Sequence, residues 1–108
     1  MLSNATLTRI DVKGTANPQG QVSYVEGATL KTRCALDAVG SKQIYRLGQV
    51  ARESDAVAYV PSRGLIIETG FRVQIQLDQG QPVLYLVVDR TERAMEDLSH
   101  YELIVKKV

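Results

Sequence analysis

GFRVQIQLDQGQPVLYLVVDR, residues Gly70 to Arg90, is the most strongly patterned stretch of the chain and decides its fold class. In its first arm Phe71, Val73, Ile75 and Leu77 alternate with Arg72, Gln74, Gln76 and Asp78. That period of two is the signature of a strand with one buried face. Asp78-Gln79-Gly80-Gln81-Pro82 supplies a turn. The second arm, Val83 to Val88, has no polar side chain except the hydroxyl of Tyr85. Such a run predicts a central strand covered on both faces by other strands and a helix. The hairpin carries no catalytic motif.

Working outward, the 108 residues fit one domain spanning 1–108. At this length roughly 60–70% of the unfolded chain's surface can be buried, enough for a core without staples. Thirteen Lys and Arg against twelve Asp and Glu give a net charge of +1, with the two signs interspersed. No basic stripe of the kind that neutralises phosphates is visible, Lys106 and Lys107 being the nearest approach. With Cys34 as the one cysteine, no intrachain disulfide is available and a reducing compartment is expected. MLSNATLTRID reads as neither a signal peptide nor a membrane span, so a soluble intracellular protein is expected. Asn4-Ala5-Thr6 matches a glycosylation acceptor only by coincidence on that reading.

Upstream of the hairpin, Ala5 to Val12 reads as a strand whose apolar residues are Leu7, Ile10 and Val12, and Lys13 to Gly20 (KGTANPQG) as an exposed, mobile loop. Gln21 to Glu26 is strand-like. Gly27 marks a break or bulge, and Thr29 to Val39 continues with Cys34 facing inward. Ser41 can cap a short helix carrying Ile44, Leu47 and Ala51 on one face and Tyr45 with Arg46 on the other. Ala56 to Val60 is a strand stopped by Pro61; Ser62-Arg63-Gly64 turns the chain, and Leu65-Ile66-Ile67 is an apolar patch. After the hairpin, Thr91 to Leu98 is a polar connector with room for a helical turn. His100 to Val105 closes the sheet, with Tyr101, Leu103 and Val105 set against Glu102 and Lys106. The total is mainly β: a small antiparallel barrel of six or seven strands with one short helix and long loops. Closure is favoured because it hides strand edges.

Chemistry is sparse. One thiol, Cys34, and one imidazole, His100, fall on separate predicted strands, so a nucleophile–base pair is not expected and no enzyme activity is assigned. They also fall short of the three or four clustered ligands that zinc requires. Glu92, Glu96 and Asp97 read as a solvated acidic connector interleaved with Arg90 and Arg93. The glycines form no phosphate-cradling loop, and no cofactor is expected. Tyr24, Tyr45, Tyr59, Phe71, Tyr85 and Tyr101 could stack bases in the manner of a barrel that binds single-stranded nucleic acid. Core packing accounts for four of them, and Tyr45 is the one exposed on its helix.

From Cys34 to Val108 the chain resembles the head-completion, or stopper, proteins of tailed bacteriophages, a head-tail joining family with a small β-barrel fold. The resemblance runs through Lys42-Gln43-Ile44-Tyr45-Arg46-Leu47, the extended Ala58-Tyr59-Val60-Pro61, Gly70-Phe71-Arg72-Val73, Tyr85-Leu86-Val87 and the basic-ended Tyr101-Glu102-Leu103-Ile104-Val105-Lys106-Lys107. Each motif is short; their order and spacing carry the likeness. It implies a structural virion protein in the neck, a homo-oligomeric ring that closes the DNA-filled head. Portal and adaptor lie on one side, tail terminator or tail tube protein on the other, and loops can contact the packaged DNA. Candidate loops are Lys13 to Gly20 and Gly40 to Asp55. Candidate partner contacts are Asn17, Gln19, Lys42, Tyr45, Arg46, Arg90, Glu92 and Arg93, with the edge of the first strand available for the ring. The chain departs from this picture in its near-neutral charge, which assigns no residue to holding DNA. An OB-like barrel binding single-stranded nucleic acid through Tyr45 or Tyr24 is the alternative, and an enzyme with a pocket at Cys34 or His100 is a further one.

Overall fold

A computed structural model describes residues 3–14, 18–21, 24–40, 44–45, 47–48, 54–62, 66–93 and 99–108. Six strands follow in order: β1 (Ala5–Lys13), β2 (Tyr24–Asp37), β3 (Ala56–Pro61), β4 (Arg72–Leu77), β5 (Pro82–Arg93) and β6 (His100–Lys107). They close into a barrel in the order β1-β2-β3-β6-β5-β4, every neighbour antiparallel. The hairpin of Gly70 to Arg90 forms β4 and β5, with Val73 opposite Tyr85 and Ile75 opposite Val83.

The interior is filled by side chains, as a barrel of this size requires. Leu7, Val60, Val73, Val87, Leu103 and Val105 are fully buried, and Ala5, Ala56 and Ala58 share the same core with the rings of Phe71, Tyr85 and Tyr101. Each apolar side chain of Val or Leu size taken fully from water stabilises by about 1.5–3 kcal/mol. In β4 the expected alternation holds for Phe71, Val73 and Ile75. Leu77, beside the turn, is 45% exposed because the wall ends there.

Two irregularities bend the long strands so that the sheet can close. The β1–β2 register shifts between Arg9, opposite Leu30, and Asp11, opposite Glu26, so Gly27 to Thr29 bulge past Ile10. β2 is thus one strand with a bulge where the sequence suggested a break or bulge. A Cβ on Gly27 would approach Val12 Cγ1 to 2.8 Å, which is why a residue without a side chain sits there. The second shift lies between Val87, opposite Val105, and Asp89, opposite Ile104. Gly70, at φ 96°, turns the chain into β4 and donates its N–H to the Val87 carbonyl at 2.8 Å.

Three expectations are corrected. The strand buried on both faces is β6, where Tyr101 to Val105 are all buried, Glu102 and Ile104 on the outer side included. β5 is the apolar arm of the hairpin, yet its Leu86 is 36% exposed, because an outward position on a single-layer barrel wall has no sheet above it. In β1, for which the sequence named no inner face, the inward residues are Ala5, Leu7, Arg9 and Asp11, while Ile10 and Val12 point outward and are half-buried. The polar connector does not begin at Thr91: Thr91, Glu92 and Arg93 belong to β5, paired with Glu102, Tyr101 and His100.

The short helix lies mostly outside the described residues, as do its Ser41 cap and Ala51. The described part is a single turn in which Gly48 donates to the carbonyl of Ile44 at 2.8 Å, with no helix beyond it among the described residues. In the loop of Lys13 to Gly20, Pro18, Gln19 and Gly20 are exposed, and residues 15–17 lie outside the described set. Residues 63–65 and 94–98 lie outside it too.

Candidate assembly surface and the charged end of the barrel

The inward positions of β1 and β5 change from apolar to charged toward one end of the barrel. Arg9 and Arg90 both point inside, and both donate to the segment that crosses that end: Arg9 Nη1 to the carbonyl of Ile66 at 3.1 Å, Arg90 Nη1 to the carbonyl of Ile67 at 3.0 Å. Arg90 also lies over the Tyr101 ring, 5.1 Å from its centroid. Ile67 is buried beneath this pair of arginines, while Ile66 is 63% exposed. The two guanidinium groups satisfy carbonyls that a strand would otherwise pair, so a non-strand segment can close the barrel mouth.

Asp11 completes this end. Its carboxylate accepts from the backbone N–H of Arg72 at 2.8 Å and from Arg72 Nε and Nη2 at 3.0 and 2.8 Å, with the carboxylate side chain only 4% exposed. The hydrogen bonds from the Arg72 side chain hold the Asp11 carboxyl below its ordinary value, outweighing the burial that opposes ionisation. Asp11 thereby ties the far end of β1 to the start of β4, where their strand pairing has stopped at Arg9 and Val73. Replacing Asp11 with Asn should cost about 1–3 kcal/mol, the penalty for weakening a buried, charge-assisted acceptor. A folded pKa below the unfolded one stabilises at pH above the unfolded value and is lost as pH falls through the folded value. Thermal melts of the two proteins should therefore differ most at neutral pH and converge well below 3.8, the ordinary aspartate value. Equal melting temperatures at neutral pH would show that Asp11 does not hold this junction.

At the other end, Arg33 on β2 reaches across the wall to Asp78 in the β4–β5 turn, with Nη1 to Oδ1 at 2.6 Å and Nη2 to Oδ2 at 2.8 Å. Both side chains are half-exposed, so this clamp fixes the turn's position more than it stabilises the fold.

The candidate contacts fall into distinct places. Tyr45 is 95% exposed on its helical turn, with Ile44 and Leu47 half-buried beside it. Gln19 and Glu92 are exposed. Arg90 is half-buried, its guanidinium on the Ile67 carbonyl and over the Tyr101 ring, and Arg93 is half-buried on the outer wall, its Nε 3.4 Å from the buried Glu102. Asn17, Lys42 and Arg46 lie outside the described residues. The edge of the first strand is withdrawn: from Ala5 to Arg9, β1 is paired on one side with β2 and on the other with β4.

Cys34 and His100 are not brought together. Cys34 faces the core, where burial pushes its thiol up to about 11, and His100 lies on the outer wall against Tyr59, ring centroids 6.4 Å apart. Among the described residues no group of three or more His, Cys, Asp or Glu is placed to hold a metal, and no helix is long and apolar enough to cross a membrane. Phe71, Tyr85 and Tyr101 are buried and Tyr59 is half-buried, which leaves Tyr45 as the exposed aromatic among those whose side chains are described. A row of stacking platforms along the wall is not formed by these residues.

These features define a closed six-stranded antiparallel β-barrel whose interior is packed. Among solved structures, the solution structure of protein SF1141 from Shigella flexneri 2a is similar: the TM-score is 0.55 at 16% identity, over 98% of this chain and 92% of that one. At that identity the likeness is one of fold. No protein-family model and no curated protein matches the sequence.

Proposed function

We propose that the protein is a structural subunit of a tailed-bacteriophage neck, a head-completion or stopper protein that forms a ring between portal and adaptor above and tail terminator or tail tube below. The observation that carries this reading is the placement of the resembling motifs. Ala58 to Pro61 lie on β3, Gly70 to Val73 lead into β4, Tyr85 to Val87 lie in β5 and Tyr101 to Lys107 in β6, so the likeness follows four successive strands of one small closed barrel. The work of such a subunit is assembly, and no residue is given a catalytic role. A closed wall supplies rigidity, and the ring's two unlike patches are then drawn from connections and a strand end: Tyr45 on the β2–β3 connection, Gln19 on the β1–β2 connection and Glu92 near the end of β5. The loops of 13–20 and 40–55 are the segments that would meet packaged DNA.

The decisive experiment is electron microscopy of particles produced without this protein. DNA-filled heads that leak and lack tails are expected, and normal virions would overturn the reading. Sedimentation of the purified protein provides a second arm. Association is expected on adding a portal–adaptor complex, and a strictly monomeric species in that mixture would count equally against it.

A further inference from the structure

We draw no further inference here: the strongest candidate, the open edge of β2 from Val25 to Arg33 where the β1–β2 hairpin overruns β3, carries none because nothing in the structure shows what covers it, and antiparallel pairing with the same edge of a second copy sets Glu26 opposite neither Lys31 nor Arg33 when side chains keep to their own face of the sheet.

Discussion

Val87→Asp is expected to leave the protein unfolded. Val87 is fully buried on the inner face of β5, opposite Val105, and its backbone exchanges hydrogen bonds with Gly70 and Phe71 at 2.8 and 2.9 Å, so the strand cannot rotate the new side chain outward without losing both. An ionised carboxylate there loses its hydration and gains no partner. Arg90, the inward cation further along β5, is held on the Ile67 carbonyl and the Tyr101 ring, and recruiting it would release the segment that closes the barrel mouth. The penalty of several kcal/mol stands against a total stability of about 5–15 kcal/mol for a domain of ordinary stability. The measurement is a proton–nitrogen correlation spectrum at neutral pH. Collapse of amide dispersion is expected, and a dispersed, native-like spectrum would mean that Val87 does not face the core.

Phe71→Ala should be the most damaging of the simple truncations, at about 3–5 kcal/mol. The ring is 1% exposed and belongs to the same core cluster as Ile67 and Val73. Its backbone joins the crossing segment to the wall, the N–H donating to Glu68 at 3.1 Å and the carbonyl accepting from Val87 at 2.9 Å. Those bonds survive the truncation, so the wall persists around a cavity and the loss is one of packing. Urea unfolding should show a lower midpoint with an unchanged slope. A loss below about 1 kcal/mol would show that the ring is not a core element.

Phe71 was legible without the structure because a strand's own alternation names its buried face, and Gly70 to Leu77 alternates cleanly; Val87 was legible because it lies in the uniformly apolar run of Val83 to Val88. That logic gives no answer in β1. There Leu7 falls on one face and Ile10 and Val12 on the other, so the strand's own pattern names no inner face, and only the closed barrel shows that Arg9 and Asp11 are buried with Leu7. The polar residues win those positions because the barrel mouth supplies partners, the Ile66 carbonyl for Arg9 and Arg72 for Asp11, from 57 and 61 residues further along the chain. No local pattern can announce a partner that far away.

The candidate contacts divide on the same line. Tyr45 reads as exposed from its place opposite Ile44 and Leu47, and the structure agrees. Arg90 reads as an exposed connector residue because charged side chains interrupt the apolar run at that point. The bulge between Val87 and Asp89 turns it inward, a shift of one residue that reverses faces.

The sequence by itself determined the β class, a small barrel of six or seven strands, the inward thiol of Cys34, the buried face of β4 and the turn at Asp78 to Gly80. Each follows from a periodicity or a turn residue read within a few positions. Tertiary structure alone decided that β6 is the doubly buried strand, that β1 has no free edge from Ala5 to Arg9, and that two arginines and one aspartate secure the barrel mouth. Those outcomes depend on which strands become neighbours and in what register, and closure of the barrel sets both through contacts between residues distant in the chain.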